Sequence, residues 1–498
     1  MEGILKTVLV TQVLRDGDKE AVLRNRERRY ITLHPRYQLR GWRDRPYALY
    51  DWDAWGGEYK KILPLTKAQF SGIELATMPG VSIDDALFPA PLKQAAEKLI
   101  SAGIFIERDR DAGLSDFQKY RFADTRMTHE LVWSITGKCN LRCRHCYIHG
   151  GEGAYGEFTF RECEDIVRQM TEAGIYMVAI TGGEPLVRRD FWQLIELMKE
   201  NRINIEEIFT NGMLVTEEFL DRLESLHIGL NCFLLSFDGV GWHDWMRGVK
   251  GTEERVIRAI RLLRERGYGV IVSTVAHKDN LASLPATYEL MKKLNVTDWK
   301  IGPVVNSGSW KKNENTELSQ HVFYEMCLKI LQMWKDDGMP MRMKLGGLFE
   351  SQGRGAKKYT MPGRSGARDA NENSLLCEAI RAFPQLLPNG KLLTCFPMTG
   401  TFLEKIAPNV LEEGWSISRA LLDSPVEEYT KATYGDLFRE NKTCGACEHR
   451  LVCTHCPADG LNAGGSIFAV DGSGCVLSKG NYEEKVRAIM GEEFIFSR

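Results

Sequence analysis

The side chains with the greatest capacity for chemistry in this sequence are its 13 cysteines, and they are grouped. Three lie together as Cys139, Cys143 and Cys146, and no cysteine precedes them. Seven more fall in the last quarter of the chain: Cys377, Cys395, Cys444, Cys447, Cys453, Cys456 and Cys475. Grouped thiolates ligate soft metal ions or iron–sulfur clusters. The spacing therefore predicts metal centres in two parts of the chain.

Composition favours a cytoplasmic globular protein. The short apolar stretch from Thr7 to Val13 lacks the basic start and the cleavage site of a signal peptide. No window approaches the roughly 18 apolar residues of a membrane span. A net charge of −2, from 65 basic and 67 acidic residues, argues against chain-wide binding of nucleic acid. In a reducing compartment disulfides are rare, which again favours metal ligation by the thiols.

The first cysteine group has the pattern C-x3-C-x2-C and follows a predicted strand, 131–135. Three thiolates can hold three irons of a four-iron cube and leave the fourth open to another ligand. Zinc is the alternative, but structural zinc normally has four ligands, and His145 would strain the loop if it were the fourth. The next predicted strand, 176–180, ends in Thr181-Gly182-Gly183-Glu184-Pro185.

This cysteine loop, together with the Gly-Gly-Glu-Pro segment, resembles the radical S-adenosylmethionine (SAM) superfamily. The resemblance implies an open iron that binds SAM, and one-electron cleavage of SAM to a 5′-deoxyadenosyl radical. It also implies an electron donor such as flavodoxin or ferredoxin. The implied SAM contacts are Gly182, Gly183, Glu184 and Pro185 for the amine, Tyr147 for adenine, Ser236 for the ribose, Arg247 for the carboxylate, and Thr210 and Asn211 beside them. For Arg247 the alternative is an ordinary surface cation.

Further strands are predicted at 205–209, 233–237, 270–275 and 299–305, with an amphipathic helix at 253–267. Repeated strand–helix units predict a parallel sheet in an α/β fold. The resemblance narrows this to a partial (β/α)6 barrel over residues 128–310. The isolated Cys163, Cys232 and Cys327 are predicted to be core residues.

The N-terminal part, residues 1–115, is predicted to hold short strands at 37–42 and 47–51, a helix capped by Thr66 and Gln69, a second helix at 92–102 and a strand at 104–106. This order resembles the winged-helix-like, PqqD-like domain that binds the leader of a precursor peptide. A packing or dimerisation domain is the alternative.

Residues 375–498 resemble the seven-cysteine SPASM domain, although the last close pair, Cys453 and Cys456, is one residue tighter than usual. The resemblance assigns Cys444, Cys447, Cys453 and Cys475 to an outer [4Fe–4S] cluster. It assigns Cys377, Cys395 and Cys456 to an inner one, whose fourth ligand is absent. With the first group, this makes three clusters. Residues 311–374 are expected to bridge the two parts, with a glycine-rich linker at 346–374.

The function implied is that of a radical SAM enzyme that modifies a ribosomally made precursor peptide. A substrate thiolate would suit the open position of the inner cluster, so thioether formation, as in sactipeptides and ranthipeptides, is the first hypothesis. In sulfatase-maturing relatives an Asp follows the cysteine at the position of Cys395, whereas here Phe396 does, which argues against formylglycine formation. The alternatives are carbon–carbon crosslinking, epimerisation, radical chemistry on a small molecule, and a non-enzymatic zinc-binding adaptor.

Overall fold

A computed structural model of the chain describes residues 28–52, 62–128, 130–230, 232–313, 318–353, 355, 357–362, 371–377, 383–451, 453, 455–470, 473–492 and 495–496. The apolar stretch Thr7 to Val13 and residues 363–370 of the predicted linker lie outside these ranges. The chain divides into two compact units, one of residues 1–127 with 172–174 and one of residues 128–171 with 175–498. Among the described residues, no helix is both long enough and apolar enough to cross a membrane.

The first unit contains six short strands and two helices in its described part. In chain order they are β1 (Tyr30–Leu33), β2 (Tyr37–Trp42), β3 (Arg45–Asp51), β4 (Ile62–Pro64), α1 (Lys67–Ala76), α2 (Ala90–Ser101), β5 (Phe105–Arg108) and β6 (Arg121–Ala123). The strands form a four-stranded sheet of order β4-β3-β2-β6 and an antiparallel β1–β5 pair. The predicted capping box is confirmed, because Thr66 Oγ1 accepts from Gln69 N and Gln69 Oε1 accepts from Thr66 N. A core that includes Leu39, Phe70 and Leu99 joins the sheet to both helices.

The second unit begins with alternating strands and helices. They are β7 (Leu131–Ser134), α3 (Phe160–Glu172), β8 (Met177–Thr181), α4 (Phe191–Glu200), β9 (Asn204–Thr210), α5 (Glu217–Ser225), β10 (Cys232–Ser236), α6 (His243–Arg247), α7 (Thr252–Glu265), β11 (Gly269–Ala276), α8 (Leu284–Lys293), β12 (Asp298–Pro303), α9 (Gln320–Asp336), β13 (Arg342–Leu345), β14 (Phe349–Ser351) and β15 (Lys358–Thr360).

Short elements follow, most of them helical. They are β16 (Gln385–Leu386), β17 (Leu392–Leu393), α10 (Phe402–Ile406), α11 (Ile417–Asp423), α12 (Pro425–Thr430), α13 (Tyr434–Glu440), α14 (Lys442–Gly445), α15 (Pro457–Gly464), α16 (Ser473–Lys479), α17 (Tyr482–Met490) and β18 (Ile495–Phe496).

A single sheet organises the second unit, with the order β17-β16-β7-β8-β9-β10-β11-β12-β13-β14-β15-β18 among the described strands. Strand β16 and strands β7 to β13 run parallel, so the six predicted barrel strands are neighbours in the predicted order. The α/β fold with a large parallel sheet is therefore confirmed. The carboxyl ends of parallel strands meet at one edge, where active sites of such folds lie.

The two faces of the sheet differ in exposure. On β10, Phe233 and Leu235 are fully buried, whereas Cys232, Leu234 and Ser236 are partly exposed. Val256 and Ile260 of α7 are also fully buried, as the amphipathic pattern predicts. Because side chains alternate along a strand, the buried set faces the helices and the other set faces the concave side of the sheet.

The segment predicted to be a glycine-rich linker differs from that expectation where it is described. Strands β14 and β15 lie within it, paired with each other and with β13. Phe349 and Tyr359 are 1% and 2% exposed, and their rings stack with centroids 5.4 Å apart. These residues extend the sheet instead of forming a solvated loop.

Candidate metal and SAM site

The loop with the first three cysteines leaves the carboxyl end of β7, and a polar hydrogen reaches each sulfur. Leu141 N lies 3.4 Å from Cys139 Sγ, and Gly150 N lies 3.2 Å from Cys146 Sγ. An Arg247 Nη atom lies 3.5 Å from Cys143 Sγ. Such donors stabilise thiolates and tune the potential of a cluster that they hold.

Burial makes these thiols poor acids on their own. It raises the pKa of Cys139 to about 12, against the hydrogen bond from Leu141 N, and it also raises the pKa of Cys143. A bound iron would supply the positive charge that favours the thiolate form. Among the described residues, no three His, Cys, Asp or Glu side chains converge closely enough for a single ion. A four-iron cube spreads its thiolates over its corners, and the three thiols of this loop fit that donor set.

The Gly-Gly-Glu-Pro segment packs directly on the cysteine loop. Gly183 N donates to Thr136 O at 2.7 Å, and Glu184 N donates to Lys138 O at 2.8 Å. A Cβ atom on Gly182 would lie 2.4 Å from Thr136 O, and one on Gly183 would lie 2.2 Å from Lys138 O. Both glycines are therefore required by the contact between two backbone segments, in addition to any contact with a ligand.

Glu184 brings two other predicted residues together beside the cysteines. Its buried carboxylate accepts hydrogen bonds from Thr210 Oγ1 and Asn211 N, each at 2.7 Å. Burial raises the pKa of Glu184 to about 7, against the hydrogen bonds from Asn211, Thr210 and Leu186. Thr210 ends β9 and Asn211 follows it, so the ends of β8 and β9 are joined at this carboxylate. Pro185 begins a short 3₁₀ turn, Pro185–Val187.

Arg247 lies at the end of α6 and is 6% exposed, so the surface-cation alternative is wrong. Its Nε lies 2.7 Å from Asp238 Oδ2. Burial acts to raise the pKa of Asp238, but the Arg247 guanidinium holds it well below its usual range. Asp238 was not a predicted site residue. Its position, two residues after β10 at the carboxyl edge of the sheet, is the signal that could have identified it.

Ser236 and Tyr147 occupy different surroundings. Ser236 is the last residue of β10 and lies on the concave face. The Tyr147 ring lies 5.0 Å from the ring of Phe396, the residue after Cys395. The two residues that directly follow a cysteine in each part of the chain are therefore in contact.

The C-terminal cysteines influence one another electrostatically in two sets. Burial raises the pKa of Cys453 to about 11, and Cys475, Cys444 and Cys447 add to the rise. Burial raises the pKa of Cys395 to about 12, with a contribution from Cys377. Cys395 in turn contributes to the raised pKa of Cys456, after burial and Asp459. Thiols must be near neighbours to act on one another in this way. His455 is engaged elsewhere, since its Nε2 lies 2.6 Å from Ile467 O.

The isolated cysteines fall into two groups. Cys163 and Cys327 are 0% and 1% exposed, as expected for core thiols. Cys232 differs from the prediction, because it is partly exposed on the concave face of β10.

Comparison with known proteins places the site in a family. Residues 133–291 match the model of the Radical SAM superfamily. The AdoMet-dependent heme synthase of Methanosarcina barkeri is 25% identical over 70% of this chain and 96% of its own length. The mycofactocin maturase MftC of Mycobacterium tuberculosis is 32% identical over 34% of this chain. That match spans 42% of the maturase, so less than half of its length is shared.

Solved structures share the fold. SuiB of Streptococcus suis, in a complex with its precursor peptide SuiA, has a TM-score of 0.61 at 14% identity and covers 89% of this chain and 99% of its own. The enzyme anSMEcpe, with bound AdoMet and the Cp18Cys peptide, has a TM-score of 0.53 at 17% identity and covers 72% of this chain and 96% of its own. The cysteine loop, its Gly-Gly-Glu-Pro partner and these matches lead to one conclusion: the chain is that of a radical SAM superfamily enzyme, related to peptide maturases.

Proposed function

We propose that this enzyme matures a ribosomally made precursor peptide by joining a substrate cysteine to a peptide carbon through a thioether. The observation that carries the proposal is the unequal supply of thiols in the C-terminal part. Cys444, Cys447, Cys453 and Cys475 make a complete set of four for one cluster. Cys377, Cys395 and Cys456 make a set of three, which leaves one position for a ligand from outside the set.

The proposed division of labour follows the order of the chain. The first unit binds the leader by adding a strand to a sheet edge, since short exposed edges support recognition through main-chain hydrogen bonds. The Cys139, Cys143 and Cys146 loop holds the radical-forming cluster, and Glu184 and Arg247 lie beside it with opposite charges that suit the SAM amine and carboxylate. When bound, SAM and the clusters supply the radical and accept the surplus electron.

The inner set of thiols is the proposed place of the substrate cysteine. A soft metal position favours a thiolate over water or an oxygen ligand. Coordination would keep the substrate sulfur deprotonated and close to the radical site. The contact between Tyr147 and Phe396 supports this arrangement, because it joins the segment after Cys146 to the segment after Cys395.

The test uses anaerobically reconstituted enzyme, reductant, SAM and the peptide encoded beside the gene. The expected product has lost two hydrogens, and replacement of the bonded substrate cysteine by alanine abolishes that loss. A loss of two hydrogens that persists when every substrate cysteine is replaced would refute thioether formation. Cys377→Ala is expected to stop product formation, whereas Cys327→Ala, which changes a buried thiol outside both sets, serves as the matched control.

Epimerisation is a second candidate, and the position of Cys232 favours it. Its thiol lies on the same concave face as Ser236. Burial raises the pKa of Cys232, and Glu207 adds to the rise, so the thiol keeps its hydrogen at neutral pH. A neutral thiol can donate a hydrogen atom to a peptide radical. Incorporation of solvent deuterium with no loss of hydrogens, abolished in Cys232→Ala, would favour this reaction over the thioether.

A further inference from the structure

A cavity of about 350 Å³ lies beside the first cysteine loop. Cys143 and Cys146 form part of its lining, together with the side chains of Arg142, Arg144 and Lys312. None of the residues predicted to contact SAM lines it. The cavity is therefore separate from the SAM site, although both border the same loop.

The charge of this cavity is mainly positive. Arg142, Arg144 and Lys312 are exposed, and none of them forms an ion pair with a residue that the structure describes. Glu152 is the acidic residue of the lining. Three cations against one carboxylate make a surface that attracts an acidic partner over distances near the Debye length, about 8 Å at physiological salt.

The cations are held in place by the loop and its neighbours. The main chain at Arg142 and Arg144 donates hydrogen bonds to carbonyls of α6, at 3.1 and 2.8 Å. The Arg144 guanidinium lies 4.4 Å from the centre of the Trp245 ring, and its Nε donates to Trp245 O at 3.0 Å. The short 3₁₀ segment that carries Lys312 is fixed by Ser309 N, which donates to Cys146 O at 2.9 Å. A charged surface with fixed side chains loses little conformational entropy when a partner binds.

We propose that this basic cavity is the docking site of an acidic one-electron carrier protein. The proposal rests on the proposed cluster at Cys139, Cys143 and Cys146. One electron leaves the reduced carrier, which is thereby oxidised, and reduces the cluster by one electron, and no proton or group is transferred. A carrier bound here is separated from the cluster only by the cysteine loop, and electron tunnelling slows steeply with distance. SAM and peptide can stay bound meanwhile, because the cavity does not use their residues.

The experiment measures how fast reduced flavodoxin reduces the reconstituted enzyme, by stopped-flow absorbance under anaerobic conditions. The variant Arg142→Glu/Arg144→Glu/Lys312→Glu is expected to be reduced about 10-fold more slowly or worse at low ionic strength, since steering contributes 10-fold or more to association. The native enzyme should slow as salt is added, and the variant should lose most of that dependence. Reduction by dithionite, which needs no docking surface, should be unchanged.

The control Arg255→Glu/Arg258→Glu/Lys329→Glu changes net charge equally at exposed residues of α7 and α9, and it should behave like the native enzyme. Because Arg144 also packs on Trp245, the milder Arg142→Gln/Lys312→Gln variant repeats the test with Arg144 intact. An unchanged flavodoxin rate in both cavity variants would overturn the proposal. Slower reduction by dithionite as well would also overturn it, because the residues would then support the cluster itself. A failure of the proposed cluster would be seen earlier, as missing iron in the native protein.

Discussion

The two cysteine-rich regions of this enzyme are built on different physical principles. The Cys139 to Cys146 loop lies at the carboxyl edge of a parallel sheet, and donors from the loop, its continuation and α6 reach its three sulfurs. The C-terminal cysteines lie on and between helices of four to eight residues, such as α14 and α15. The core there is small and includes Leu376, Leu437 and Leu461. The first region is positioned by the fold, whereas the second needs its ligands to complete its structure.

The largest expected difference between the regions concerns radical formation. Replacing Cys139, Cys143 and Cys146 by alanine should remove about four of about twelve irons and reduce 5′-deoxyadenosine formation to background. Replacing Cys444, Cys447 and Cys453 by alanine should remove a similar amount of iron but leave SAM cleavage without peptide measurable. Iron analysis and chromatography of the nucleoside check both outcomes. Loss of SAM cleavage in the second variant would contradict the independence of the two regions.

Iron removal should loosen the regions unequally. Small domains with little core depend on bound metal for folding. After chelation of iron, the amides of α13 and α15 should exchange with deuterium much faster, by about 100-fold or more for a region that unfolds locally. The amides of β8 to β11 should keep most of their protection. Equal protection losses in both regions would show that the C-terminal core is sufficient without its ligands.

A smaller effect is expected from Gly183→Ala in the first region. The new Cβ would lie 2.2 Å from Lys138 O, a backbone atom that cannot move without shifting the cysteine loop. Overpacking of this kind costs about 1–3 kcal/mol, measurable as a lower urea midpoint, and it should also weaken SAM binding. Gly302→Ala is the matched control, because no atom lies within 4 Å of its Cβ position. Equal midpoints for the two variants would refute the proposed role of the close contact.

The smallest expected effect is the pH dependence contributed by Glu184. Its pKa is raised from 4.5 to about 7, so the carboxylate that suits the SAM amine forms as pH rises through about 7. SAM affinity should increase by up to about 10-fold between pH 6 and pH 8, measured by equilibrium dialysis. A raised pKa also means that the contribution of Glu184 to stability is fully present below about 4.5 and is lost as pH rises towards 7. Glu184→Gln should flatten both profiles, and a steep SAM profile in this variant would assign the dependence to another group.

The barrel was well predicted because local and global signals agree there. The six strands were expected within one or two residues of their observed bounds, since each is a short apolar run that ends in glycine or polar residues. The Thr66 capping box was found from two residues alone, because a cap depends only on its own turn.

The residues that the prediction missed depend on contacts distant in sequence. Strands β14 and β15 have three residues each, and only their neighbours in the sheet make them strands. Cys232 begins an apolar strand, and its sequence alone does not show which face it occupies. The burial of Arg247 follows from its pairing with Asp238, nine residues earlier, in a fold that brings α6 over the cysteine loop.

The contact between the two glycines and the cysteine loop has a mechanical consequence. Two backbone hydrogen bonds and two absent side chains join the Gly-Gly-Glu-Pro turn to the metal-binding loop at a separation that permits no sliding. The two parts therefore move as one body, and metal and methionine positions keep a constant spacing throughout turnover. Any opening that admits a peptide must then come from other segments, so substrates of different shape can be accommodated without altering the geometry of radical formation.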